Sequence, residues 1–173
     1  MHRWFLLFCL PFALKADPRV DYLRQYIGRW LGDFTIHSGA TGYTETFPIE
    51  QRYWWEDEQL HGLSVAETDR GIEAASSRAL ILDGKLRLEV TRGEEVEGYW
   101  GVLHDGGILW LSEDLTRATD YQMKETFVEE NGVRALHSDG FDTFIYEGGL
   151  AHLVYRGRLR WQPSEDRIRA DCI

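Results

Sequence analysis

The stretch YIGRWLGDFTI, Tyr26 to Ile36, decides the fold. It reads as the opening of a β-barrel. A short amphipathic segment, DPRVDYLRQYI, precedes it, with Asp17 and Pro18 as helix-start signals. Beyond it the chain alternates apolar and polar residues at period two, broken by turn residues every 8 to 12 positions, the pattern of an all-β sandwich or barrel. Ten strands are predicted, at 29–37, 43–55, 59–67, 73–82, 85–91, 95–104, 108–113, 120–129, 133–146 and 150–161. No internal repeat or low-complexity linker interrupts them.

Outward from this core, the first sixteen residues, MHRWFLLFCLPFALKA, combine Arg3, an apolar run from Trp4 to Leu14 and the small Ala16. That is the pattern of a secretory signal peptide, and the run is too short to span ~30 Å of hydrocarbon. The expectation is an exported chain, periplasmic or secreted, with residues 17–173 forming one domain and no membrane insertion of the mature chain. Removing residues 1–16 takes away Arg3 and Lys15 and no acid, so the net charge moves from -10 to -12. Such acidity argues against nucleic acid and anionic membrane as partners. Of the two cysteines, Cys9 leaves with the leader, and Cys172 then has no intramolecular partner.

Turn lengths assign faces, because the loop of a hairpin fixes which residues oppose each other. LDGK reads as a two-residue Asp-Gly hairpin that sets Ile81 against Leu86 and Ala79 against Leu88. Three-residue turns at EDE, RGE, DGG, ENG and EGG then place the remaining strands. On that count the inner face carries Leu63 and Val65; Val96, Trp100 and Val102; Ile108 and Trp110; Tyr121, Met123 and Phe127; Phe141; and Leu153, Tyr155 and Leu159. Ten sequential antiparallel strands with one apolar face close most economically into an up-and-down barrel, which leaves no exposed edge. Four short turns (56–58, 83–84, 105–107, 130–132) gather at one end, where the helix enters as a plug. The loops 38–42, 68–72 and 114–119 surround the mouth. A two-sheet sandwich is the alternative.

Gly28 and Trp30, after a short helix and at the head of the first strand, resemble the Gly-x-Trp opening of calycin barrels: lipocalins, fatty-acid-binding proteins and their relatives. GRWLGDF is also similar to the G-x-W-x-G opening of uncharacterised bacterial lipocalin-like domains. The resemblance implies a tryptophan packed at the closed end beneath an arginine of the last strand, for which Arg158 and Arg160 in YRGRLRW are placed. The strand count is nearer to fatty-acid-binding and nitrobindin-like barrels than to eight-strand lipocalins. Haem-binding nitrobindin-like proteins carry a further glycine-tyrosine-proline pattern, which GDFTIHSGATGYTE lacks, so no cofactor is expected and haem stays a lesser alternative.

Within the same register a few polar groups fall inward. Glu125 is expected to oppose His137, with Asp139 two residues further along that face. A carboxylate beside an imidazole can orient a ligand or raise the basicity of the histidine, and it can equally be a satisfied polar pair in the wall. His104 and Ser112 are also expected inside, His37 and His152 outside, and His61 opposite Tyr53. One of Trp54 and Trp55 is expected to be exposed. Three histidines at metal-ligand spacing are not visible. HSDG at 137–140 cannot form a hydrolase triad, because neighbouring strand residues point to opposite faces. The reading is a container for a small, largely apolar molecule, lined by Trp100, Trp110, Tyr121 and Tyr155, with polar selectivity from Glu125, His137 and Asp139. Two rivals remain: an enzyme using Glu125 with His137 for acid-base work, and a solid-core interaction module of the cell envelope.

Overall fold

A computed structural model describes residues 17–114, 121–146 and 149–163. Residues 1–16, Cys172 and most of the 114–119 loop lie outside the described residues. Helix α1 (Pro18–Leu23) is capped by Asp17, whose carboxylate accepts from the Arg19 backbone N–H, and a 3₁₀ turn over Arg24–Tyr26 continues it. Ten antiparallel strands follow in a closed barrel: β1 (Gly28–Ser38), β2 (Thr44–Glu56), β3 (Gln59–Thr68), β4 (Gly71–Leu82) and β5 (Lys85–Arg92), then β6 (Glu95–His104), β7 (Gly107–Ser112), β8 (Gln122–Glu130), β9 (Val133–Tyr146) and β10 (Gly149–Gln162). Each strand pairs with its sequence neighbours, and β1 with β10 closes the ring through ten residue pairs from Arg29↔Gln162 to Ser38↔Leu153. The all-β, ten-strand barrel plugged by a short helix is thus the fold, and the sandwich is excluded.

The turns explain both what the register expectation caught and where it failed. All four hairpins at the helix end have two-residue loops: Asp57-Glu58, Asp83-Gly84, Asp105-Gly106 and Asn131-Gly132. Both central residues of each have positive φ, as a type I′ turn requires, because only that twist matches the strands it joins. Gly93-Glu94 at the other end is equally short, and Tyr146 pairs with Gly149. Three-residue turns at EDE, RGE, DGG, ENG and EGG are therefore each one residue too long, and a one-residue slip turns a strand inside out. The slips fall on both sides of β6 and β9, so β7 and β10 recover the expected face while β6 and β9 do not. β3 is inverted in the same way.

The correction exchanges three sets of side chains. Leu63, Val65, Val96, Val102 and Phe141 are exposed on the outer wall. The inner positions belong instead to Gly62, Ser64 and Ala66 on β3, Glu97, Tyr99, Gly101 and Leu103 on β6, and Leu136, Ser138, Gly140 and Asp142 on β9, as their partners on neighbouring strands require. His104 lies at the start of the Asp105-Gly106 turn, exposed and 3.0 Å from the Asp105 carboxylate, rather than inside. His61 pairs with Trp54 and stacks on its ring at 5.7 Å, while Tyr53 opposes Gly62. Trp54 is the exposed member of its pair and Trp55 packs on the core beneath Arg24.

The helix end is solid. Leu23, Tyr26 and Trp30 are almost wholly buried against Leu86, Ile108, Leu136 and Leu159. The Tyr22 hydroxyl reaches the Gly106 and Glu125 carbonyls, fastening the helix over the tight turns. Trp30 donates from Nε1 to the Tyr26 carbonyl at 2.7 Å, so the tryptophan also fixes the helix exit. Its cationic cover is Arg134 of β9, 5.5 Å from the indole and 4.7 Å from the Phe127 ring. The last strand does not supply it. Arg158 donates from Nη2 to both carboxylate oxygens of Asp139 on the outer wall (2.8 and 3.0 Å), and Arg160 is exposed.

Gly32, two residues past Trp30, allows β1 to press on β10. A Cβ there would lie 1.9 Å from the Arg158 carbonyl oxygen and 2.7 Å from Leu159 Cα, both backbone atoms that a rotamer change cannot move. Gly32→Ala is expected to cost about 2 kcal/mol or more in urea unfolding. Gly39→Ala, whose Cβ would meet nothing closer than 3.6 Å, should stay within about 0.5 kcal/mol of the wild type. Equal effects of the two substitutions would show that the close approach is not a constraint.

Candidate functional site

Above the solid end the barrel holds a cavity of about 480 Å³. Its space comes from one wall. Gly62, Ser64 and Ala66 on β3 and Ala75, Ser77 and Ala79 on β4 present side chains no larger than serine, and Gly62 is small by necessity, since a Cβ would lie 2.3 Å from the Ser77 hydroxyl. The opposing wall is aromatic. Tyr99, Tyr121, Tyr155, Phe34 and Phe47 run across β6, the start of β8, β10, β1 and β2 with successive ring centroids 5.1, 6.5, 6.2 and 5.8 Å apart. Arg70, Glu73, Arg92 and Glu97, on the connections and strand ends away from the helix, complete the rim. Arg70 pairs with Glu73 at 2.8 Å and Arg92 with Glu97, and Glu97 also accepts from the Tyr99 hydroxyl at 2.9 Å.

The floor is polar at one point. Glu125 Oε2 accepts from the Tyr26 hydroxyl at 2.8 Å and from Trp110 Nε1 at 2.9 Å, and Oε1 accepts from the Ser138 hydroxyl at 3.2 Å. Three strands and the helical plug thus converge on one carboxylate. None of the three donors carries a charge. A second interior acid, Asp142, is buried on β9 and accepts from the Thr143 backbone N–H at 2.8 Å.

Of the residues singled out in the sequence, Trp110, Tyr121, Glu125 and Tyr155 line this cavity. Trp100, His137 and Asp139 do not, because they sit on the inverted strands. Trp100 lies on the outer wall between Arg87 and Leu111, with Lys85 and Arg87 over its ring. His137 opposes Thr126 and bonds Glu130 at 2.8 Å, and Ser138 takes the place expected for it opposite Glu125. Asp139 is held outside by Arg156 and Arg158. Gly28 adopts a φ of 127° where the chain leaves the helix, and a Cβ there would strike the Trp161 indole. Ser112 opposes Tyr99 on β6, and its hydroxyl accepts from the Asp114 backbone. His37 and His152 are exposed, on Thr44 and Thr143.

Tyr26, Tyr53, Tyr99, Ser138 and Asp142 are the site residues that the sequence reading missed. For the last three, the Asn-Gly, Asp-Gly and Gly-Glu turns were the available signal: counted as two-residue loops, they turn β6 and β9 the right way round. Among the described residues no three His, Cys, Asp or Glu side chains converge as metal ligands. No protein-family model and no curated protein sequence matches the chain.

Burial and the Glu125 charge together hold the interior phenols in their neutral form. Desolvation raises Tyr26 well above its ordinary value, with Glu125 adding to it, and Tyr53 is raised by the same two causes. Tyr22, half-buried, is pushed up to about 12 by desolvation and then by Glu125. A phenol whose folded pKa exceeds its unfolded value of about 10 favours folding in full below pH 10 and loses that contribution as pH climbs toward the folded value. Stability is therefore expected to fall steeply above pH 10, by up to about 1.4 kcal/mol per pH unit for each such phenol. Urea midpoints between pH 8.5 and 11.5 should show this, and Tyr26→Phe should flatten the slope. An unchanged slope in Tyr26→Phe would remove Tyr26 from the effect.

Proposed function

We propose that the chain is an exported binding protein that holds a small, largely apolar molecule in its barrel. The carrying observation is the hollow upper half: a cavity of about 480 Å³ with one wall of Gly, Ala and Ser and one of aromatic rings. Pockets for small molecules commonly occupy 300–1,000 Å³, lined by apolar and aromatic groups with a few placed polar ones. Leucine or valine on β3 and β4 would gain packing that alanine and serine forgo. The sequence instead keeps that wall low where it faces a continuous aromatic surface. Polar selectivity falls to Glu125, with the tyrosine hydroxyls and Asp142, in place of His137 and Asp139. An acid-base pair of Glu125 with His137 is not assembled, so the container reading has the stronger geometric support.

A neutral apolar fluorophore, N-phenyl-1-naphthylamine, tests the cavity. Its emission should rise on binding with saturation in the micromolar range. Ala75→Trp, which fills the low wall, is expected to weaken binding at least tenfold with the β-sheet circular dichroism retained. Ser76→Trp, on the outer face of the same strand, should bind as the wild type does. Equal binding by Ala75→Trp and wild type would overturn the container reading.

A further inference from the structure

The charge arrangement inside the barrel says more about the ligand than its size does. The two arginines that border the cavity, Arg70 and Arg92, sit at its exposed rim and face carboxylates of their own, Glu73 and Glu97. The floor has the opposite character. Glu125 is held by a phenol, an indole and a hydroxyl, which fix its position through uncharged donors and leave its negative charge without a counter-ion among them. A carboxylate offers about four lone-pair sites, and three donors leave room for one more. Asp142 adds a second acid to the lining, and the tyrosine and phenylalanine rings of the aromatic wall border the same space.

An anionic ligand is poorly served here. It would set its charge against Glu125 or displace a rim pair. A neutral ligand would be tolerated. A cation would gain from these features: a charge-assisted hydrogen bond to a partly buried carboxylate, and the aromatic rings that line the space around it. The net charge of -10 also draws cations toward the mouth.

Resting on the container reading, we propose that the ligand is an organic ammonium: an apolar, ring-sized body carrying a protonated amine directed at Glu125. The amine donates to Glu125, and the body lies between the low β3–β4 wall and the aromatic wall.

Three probes that share one body test this at pH 7: 1-naphthylmethylamine, 1-naphthalenemethanol and 1-naphthoic acid, each titrated calorimetrically against the full chain. The amine is expected to bind at least about tenfold tighter than the alcohol, and the acid most weakly. In Glu125→Gln the advantage of the amine should shrink to within about threefold while the alcohol changes little. Alcohol binding as tight as amine binding in the wild type would overturn the proposal and leave the container standing. A full amine advantage in Glu125→Gln would overturn the assignment to Glu125. Should that variant fail to fold, Ser64→Lys places a cation on the low wall. It should abolish the amine advantage and raise acid binding, and an unchanged order would overturn the proposal. If N-phenyl-1-naphthylamine binds and the amine does not, the ammonium reading alone fails. If no probe binds, both readings fail together.

Discussion

Everything in this barrel depends on how two residues turn a strand back on itself. The four hairpins at the helix end each spend two residues with positive φ, two of them non-glycine in Asp57-Glu58. A left-handed conformation costs a non-glycine residue about 1 kcal/mol or more, and the chain accepts it because the type I′ twist keeps the strands in step. Since side chains alternate along a strand, the same turns decide which half of each strand faces the interior. Drawing Glu130 into the Asn131-Gly132 turn would bring His137 in opposite Glu125 and move Ser138 out. The chemistry of the site is thus set at the far end of the molecule from its mouth.

That arrangement divides the barrel into a part that is packed and a part that is hollow. At the closed end Trp30, Leu23, Leu86, Ile108, Leu136 and Leu159 are fully buried, and Arg134 covers the indole from outside the core. Between the solid end and the rim, β3 and β4 offer Gly62, Ser64, Ala66, Ala75, Ser77 and Ala79 to the interior. The helix belongs to both parts. Tyr22 fastens it to the turns, while Tyr26 spans from the packed core to the Glu125 carboxylate. A barrel closed by ten strands has the bore for this, since eight already make room for one small ligand.

The fold was legible because closure and alternation leave a strong imprint. Ten strands, their order and the plugged end could be read from period-two runs and turn residues, and Trp30 took the closed-end position that Gly-x-Trp suggested. The inward faces of three of the ten strands, β3, β6 and β9, were illegible for a single reason. Counting Gly107 or Glu130 into the turn moves a strand by one position, and each strand offers plausible apolar residues on both faces: Val96, Trp100 and Val102 look as fit for a core as Tyr99 and Leu103. Paired slips cancel, so Trp110 and Tyr155 came out right although the strands before them were inverted. Arg134 was missed because the expectation looked to the last strand, whereas the cation rises from the β8–β9 turn one strand further round. The phenols that complete the site come from Tyr26 in the plug and from Tyr53 and Tyr99, which no local motif marks.

The interior polar groups show how such a hollow is kept in shape without being filled. A carboxylate drawn partly out of water costs free energy unless its lone pairs are met, and a cation would meet them while cancelling the charge. Here the task falls to Tyr26, Trp110 and Ser138, from the plug, β7 and β9. Each donor is itself anchored by apolar packing, so the carboxylate stays in place before any ligand arrives and little ordering remains to be done on binding. Desolvation and the Glu125 charge keep the Tyr26 phenol protonated, and the protonated phenol keeps Glu125 satisfied. The network is mutually reinforcing, and the carboxylate it holds lines the same cavity as Tyr99, Tyr121 and Tyr155.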